Sequence, residues 1–460
     1  MLGPDAWWGS GAGVASAWET GSASEWPESR YRPAGWIWCW RDTRGASVRP
    51  ANPPEPRRGS RPASGREPAV DEPLSLLDEE LVVDVHFHVG ASAARYPARP
   101  RFAFEKPAIS DGYAAYLSPR ILGKPLWRLL GRVLGLPTFK PGDELDRAME
   151  SITLRHFDQA PSVDRAVALA FDQYHTDDGH PVGPAVQAGD LASDLFVSNS
   201  FVWEFCRRHP GRFFFGASIH PYRARALEAL EEVTAVGAVL VKWLPVVQNI
   251  DITDARSVAF LRRAAQLHVP LLIHYGGEKT LATAHPEFTK PGPLFEVLDK
   301  LWTGGCCPTV IIAHVAVGTN WPAGLRGFIR ETIAALSGPF RDRPVYADTS
   351  AGAVFTRAHW LKRLARMPQL HDKLVFGTDF PVPPTARCFH RQLEAAYGAV
   401  RAAESVLEQN YLIKRHLGFD DAFFHRGWRI LREGLRRRVA GTAHSDRPPS
   451  PHPESQPAPA

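Results

Sequence analysis

The chain has 460 residues, 44% of them hydrophobic and 22% charged, with a formal net charge of +5 at pH 7. That supply of apolar residues fills a core, so disorder of the whole chain is excluded, and the length suits two or three domains or one large α/β barrel with extensions. The mild charge, without a basic stripe interleaved with aromatics, argues against a nucleic-acid surface, and no run of about 18 apolar residues exists to span a membrane.

Residues 1–75 hold seven of the fourteen tryptophans, from Trp7 to Trp40, followed by an Arg/Pro/Gly/Ser stretch from Arg49 to Pro68. No period of 2 or 3.6 runs through the segment, and it lacks the apolar centre of a signal peptide. A disordered N-terminal extension is expected. No methionine falls between Met1 and Met149, so a truer start at an alternative codon now read as Val70 or Leu74 is a further expectation. Residues 441–460, rich in Pro, Ser and His, read as a disordered tail, which leaves 76–440 as the folded unit. Five cysteines, odd in number and without CxxC spacing, argue against a disulfide framework or a structural zinc knuckle.

Within 76–440 short apolar runs recur at Leu81–His86, Arg165–Phe171, Phe213–Ser218, Ala238–Trp243, Val269–His274, Thr309–His314, Pro344–Ala347 and Lys373–Gly377. Several are almost continuously apolar, as strands buried on both faces must be. Helical periods separate most of them. Ala224–Val236 places Leu227, Leu230 and Val233 on one face, and Asp254–Leu267 does so with Val258, Leu261 and Ala265, capped by Thr253 or Asp254. Eight strands alternating with helices predict a (β/α)8 TIM barrel. Residues 90–164, far too long for a βα loop, are expected to form a lid over the carboxyl-terminal mouth, with a helix at Leu126–Leu134. The segments Arg387–Ala403 and Glu404–Arg438 read as terminal helices packed outside the barrel.

Ionisable residues close the apolar runs. The first ends Asp84-Val-His86-Phe-His88, and residues two apart on a strand share a side at about 6.6 Å, so both imidazoles can close on one metal. Alone this is weak, since roughly 0.7 such His-x-His triplets are expected by chance at this composition. Lys242 before Trp243, His274 before Tyr275, His314 and Asp379 close four other runs. A barrel's reactive face is built from those positions. Histidine and carboxylate donors suit zinc, and manganese or iron less specifically.

Asp84-Val-His86-Phe-His88, Leu272-Ile-His274, Ile312-Ala-His314 and Val375-Phe-Gly-Thr-Asp379-Phe-Pro381 resemble the amidohydrolase superfamily. The resemblance is closer to its amidohydrolase-related branch, which includes the aminocarboxymuconate-semialdehyde decarboxylase type. Arg207-Arg-His-Pro-Gly-Arg-Phe213 through Ile219-His-Pro221 is similar to that branch as well, and the likeness spans about 81–435. It implies His86, His88, His274 and Asp379 as ligands of one or two divalent ions, with His314 either a second-site ligand or the residue that orients an attacking water. Lys242 occupies the place of the lysine that is carbamylated and bridges two metals in binuclear members. The alternative is a charged lysine that holds a substrate carboxylate, with Trp243 and Tyr275 as substrate-binding walls. His220 reads as structural.

The expected reaction is hydrolysis of an amide, lactone or cyclic imide in a small molecule, with Asp379 moving the water proton and His314 assisting. Nonoxidative decarboxylation of an unsaturated or aromatic acid is the rival; it needs a cationic anchor, offered by Lys242, Arg95, Arg99 or Arg101. A non-catalytic barrel is the third reading. A cytoplasmic location and a homodimer through the outer helices complete the expectations, with no nucleic-acid or membrane partner.

Overall fold

A computed structural model of the chain describes residues 73–97, 100–108, 112–184, 192–278, 281, 283, 285–318 and 326–445. The tryptophan-rich segment, the alternative start at Val70 and residues 446–460 of the expected C-terminal tail lie outside these residues. Eight parallel strands form one sheet in chain order: β1 (Val83–His88), β2 (Arg165–Leu169), β3 (Phe213–Ala217), β4 (Leu240–Trp243), β5 (Leu271–His274), β6 (Val310–Ala313), β7 (Val345–Asp348) and β8 (Leu374–Val375). The sheet closes on itself, because the Val85 and Asp379 amides donate to Phe376 O and His86 O, and the His88 amide donates to Phe380 O. The protein is a (β/α)8 barrel, and every expected strand is present.

Strand periodicity divides the core into two shells. Val83, Val85, Val167, Leu169, Leu240, Leu272, Ile311 and Val375 pack together inside the barrel. Their chain neighbours Val241, Leu271, Ile273, Val310 and Ile312 belong to the outer shell beneath the helices. Asp254 caps helix Ala255–Gln266 by accepting from the Arg256 amide, whereas Thr253 bonds Asp251. That helix buries Ser257, Phe260, Leu261 and Ala264. Helix Ala226–Ala235 buries Ala226, Ala229, Leu230 and Val233 and leaves Leu227 exposed. Both inner faces are therefore rotated in part from the predicted ones: Leu230, Val233 and Leu261 are buried as expected, whereas Leu227, Val258 and Ala265 are not.

Two corrections concern the decorations. The last helix, Asp421–Ser445, extends past Gly441 and is not simply outside the barrel. Its Trp428, Leu431 and Leu435 join the inner shell; Trp428 stacks on Phe214 with centroids 5.1 Å apart and donates to Glu79 O. The helix lies so close that a Cβ on Gly427 would meet Val85 Cγ1 at 2.6 Å. This helix is the floor of the barrel. The small sheet in the insertion expected as a lid is also not made by 90–164 alone. Ala93–Arg95 and Tyr113–Leu117 pair antiparallel, but a third strand, Leu195–Val197, comes from a second insertion after β2. A bridge between Phe171 and Val197 ties this small sheet to the carboxyl end of β2. The expected lid helix is observed at Pro125–Leu134.

Candidate active site

The site begins with an irregularity in β1. Asp84 pairs with Ala166 of β2, but Phe87 pairs with Ala168, so β1 carries one extra residue between them. Below this bulge Val83 and Val85 face the interior. Above it Phe87 faces outward, against Phe213 and Phe380, and His86 and His88 take the inner positions. Asp84, on the outer side, accepts from the His86 and Thr378 amides at 3.0 Å each and from the Thr378 hydroxyl, which clamps β1 to the chain leaving β8. A Cβ on Gly377 would sit 3.1 Å from that of His86, so any larger residue there would press on β1.

Two donor groups meet at His86. His86, His88 and Asp379 bring one ligand atom each within 4.8 Å of one another, and so do His86, His314 and Asp348. In the first, Asp379 Oδ1 lies 3.2 Å from His88 Nε2 and 3.5 Å from His86 Nε2. In the second, His86 Nδ1 donates to Asp348 Oδ2 at 2.8 Å, so the His86 proton sits on Nδ1 and the Nε2 lone pair faces the first group. His314 Nδ1 likewise donates to Ser350 O, which leaves its Nε2 bare. Asp348 Oδ1 also accepts from the amides of His314 and Ser350, both at 2.9 Å, and from the Ser350 hydroxyl.

Burial dominates the electrostatics. It lowers His86 to about 4, helped by the Lys242 charge and against the pull of Asp348. It lowers His314 to about 3 and holds His274 well below an ordinary imidazole, so these rings are neutral donors. Burial alone would raise Asp348 and Asp379, but the histidines around them hold both below the usual carboxylate range. Backbone strain is concentrated here as well. Asp379 has φ +66°, and His314, Val315 and Ala316 run at +55°, +52° and +53°. A β-branched residue there is a true outlier. The outcome is visible at His314: after Ala313, which faces inward, plain alternation would aim the next side chain outward, yet its ring stacks on His86 at 4.9 Å.

The predicted residues separate. His86, His88, Asp379, Lys242 and His314 converge, with Lys242 Nζ 3.0 Å from His86 Nε2. His274 belongs to neither donor group; its ring stands 4.7 Å from that of His314, and its buried Nε2 has no partner. Trp243, expected as a substrate wall, instead faces the outer shell, where it packs on Phe260 and donates to Ile219 O. Tyr275 also sits in the outer shell, with its hydroxyl buried and unpartnered. Both follow an inward-facing residue by one position, so strand alternation turns them away. Arg95 lies over the Tyr113 ring and Arg101 over Trp203, while Arg99 is outside the described residues. His220 is buried behind the site with Nε2 donating to Gln248 O.

Sequence reasoning missed Asp348. The signal was present, because Asp348 closes Val345-Tyr-Ala347 as His274 closes its own run, but the seventh strand was ended one residue early. The donor set fits a divalent cation: two imidazole nitrogens and a carboxylate oxygen converge within 4.8 Å of one another, and near them stands His274, whose buried Nε2 has no partner. His86, His88 and Asp379 would hold it, with His274 and Lys242 adjacent.

No curated protein matches the chain. Among solved structures it is similar to an uncharacterised TIM-barrel protein of Bordetella bronchiseptica, at 17% identity over 79% of this chain and 99% of that one, with a TM-score of 0.43. A probable 2-pyrone-4,6-dicarboxylic acid hydrolase of Acinetobacter baumannii gives 13% identity, 78% and 99% coverage and a TM-score of 0.41. A 5-carboxyvanillate decarboxylase of Sphingomonas paucimobilis gives 12%, 74% and 99%, and 0.38. A family model described as amidohydrolase matches residues 83–404, a span that holds all eight barrel strands and both donor groups, and the chain belongs to the amidohydrolase family.

Proposed function

We propose that the protein is a metal-dependent hydrolase that opens a C–N or C–O bond, in an amide, lactone or cyclic imide, of a small organic molecule. The observation that carries this reading is Lys242, whose Nζ is buried 3.0 Å from His86 Nε2 and so belongs to the donor cluster, not to its rim. Burial lowers its pKa to about 8 against the pull of Asp348 and Asp379, which favours the neutral amine that carbamylation requires. A carbamate there would supply one more anionic oxygen and suit a two-ion site, with zinc as the expected metal.

Zinc bound at such a site supplies Lewis acidity, bringing water to a pKa of about 7 and polarising a carbonyl. Asp379, partly open to solvent beside His88, takes the proton and returns it to the leaving group. His314 Nε2, bare because Nδ1 is engaged, orients the water. Asp348 holds the His86 imidazole through Nδ1 and the His314 backbone through its amide.

The test is metal content per chain, measured on protein purified without chelator and with bicarbonate present. About two ions, falling to about one in Lys242→Met, together with hydrolysis of a panel of lactones and imides, is the expected result. One ion in both proteins, with carbon dioxide released from aromatic acids and no hydrolysis, would move the assignment to a carboxy-lyase.

A further inference from the structure

Helix Pro125–Leu134, in the insertion after β1, is buried on one side only. Gly131 and Leu134 face the protein, and Phe139 folds back so closely that a Cβ on Gly131 would meet its ring at 2.4 Å. Trp127 packs against the cluster of Leu117, Ile121, Leu122 and Leu145, which Leu281 of the segment after β5 also touches. The inner side is therefore satisfied by contacts within the protein.

The outer side is not an ordinary solvent face. Leu129 and Val133 are 57% and 53% exposed and stand one turn apart, whereas the other large apolar residues exposed in the described structure are scattered over separate elements. Valine is a poor helix former, so neither propensity nor packing accounts for it there. Arg128 and Arg132 flank the pair, exposed and without an ion pair among the described residues. The surrounding chain has one sign of charge. From Gly112 to Gly142 it holds Arg120, Lys124, Arg128, Arg132 and Lys140 and no acidic residue, and of these Arg120 is taken up by Asp194.

We propose that this face docks on an anionic lipid surface, with Leu129 and Val133 entering the boundary of the acyl chains and Arg128 and Arg132 lying on the headgroups. An exposed apolar edge beside an arginine edge is how a helix lies in a membrane interface, the arginine stems adding apolar area of their own. No described helix is long and apolar enough to cross a membrane, and surface attachment needs none. The expected lack of a membrane partner is narrowed accordingly. A soluble protein fits this face less well. Ten residues make a ridge about 15 Å long, far short of the roughly 800 Å² per partner of a specific complex, whereas lipid adapts to a small convex face. A second copy docked face to face would set the same arginines against one another. The proposal is independent of the hydrolase reading.

The experiment mixes the full chain with vesicles of phosphatidylcholine, alone or with phosphatidylserine added, and reads co-sedimentation. Binding to the anionic vesicles is expected to be about 10-fold tighter or more than to the neutral ones, and to be lost at about 1 M salt, where the screening length falls to about 3 Å. Arg128→Gln with Arg132→Gln should weaken it by about 30-fold, or about 5-fold for each arginine near such a surface. Arg128→Lys with Arg132→Lys should retain it. Leu129→Gln with Val133→Gln should weaken it by about 10-fold, the size of partial burial of two aliphatic side chains. Every variant should melt at the unsubstituted temperature, because all four side chains are exposed. No binding to anionic vesicles, equal binding to neutral ones, or unchanged binding in either glutamine variant overturns the proposal. Binding lost without the arginines but kept without Leu129 and Val133 would make the face a contact for a soluble acidic protein instead. A dimer in sedimentation velocity that Leu129→Gln with Val133→Gln dissolves would make it an interface between two copies.

Discussion

Asp348 ties His86 to the backbone that carries His314 and Ser350, without facing solvent. One oxygen fixes the His86 proton on Nδ1, and the other collects the amides of His314 and Ser350. A carboxylate behind a metal-binding imidazole sets both its tautomer and its basicity, and loss of such a partner costs about 10- to 100-fold in metal affinity. Asp348→Asn should therefore fold, bind the cation weakly by that factor, and lose turnover in proportion. Competition titration with a chromophoric chelator measures it, and unchanged affinity would show that His86 holds its tautomer unaided. Asp379→Asn should also weaken the cation, because Asp379 is one of the three residues that would hold it, and with the proposed proton carrier gone turnover is expected to fall by about 10²- to 10⁴-fold even in metal-saturated protein, while the barrel melts as before.

Elements explain why some of this was legible in the sequence and some was not. The eight strands could be read because a strand buried on both faces leaves an apolar run, and the ionisable residue that ends such a run marks the mouth. Which side chains enter the mouth depends on parity, and parity is set by features that leave no composition signal. The bulge in β1 carries His86 and His88 inward, and the left-handed backbone after β6 does the same for His314. Trp243 and Tyr275 lack such a device and fall outside. The floor helix was hidden for a related reason: its apolar stripe is as readable as any, but nothing local says that Trp428 fills the barrel's interior end instead of a groove between helices. Trp428→Ala should cost about 3–5 kcal/mol, as emptied aromatic sites in cores do, and denaturant unfolding checks it. A loss below about 1 kcal/mol would mean that the floor does not seal the interior.

At the scale of the whole molecule, the buried histidines couple stability to pH. Burial, with Arg155 nearby, lowers His156 to about 4; burial outweighs Asp172 to bring His175 to about 4; His86 and His314 lie at about 4 and about 3. An imidazole in the unfolded chain titrates near 6.5. Between about pH 6.5 and pH 4 the unfolded state therefore binds more protons than the native one, so stability must fall as pH drops through that window and be complete above it. Each group contributes up to about 3 kcal/mol by this linkage. Below about pH 4 Asp172 and Asp348, both held under the usual carboxylate range, add a further loss as the unfolded carboxylates take up protons first. A cation bound to the neutral donors adds stability by mass action, and because native His86 stays neutral down to about 4, that increment is lost only as pH falls through that value. Melting temperatures from about pH 3 to pH 8 should therefore form two curves, for metal-loaded and chelator-treated protein, that both fall as pH drops below about 6.5 and keep a nearly constant gap until they converge below about pH 4. His156→Gln, outside the donor cluster, should flatten both curves alike by about one proton's worth of slope without changing the gap between them. A gap that already closes well above pH 4 would mean that the cation is held by groups that take up protons more readily than the buried His86.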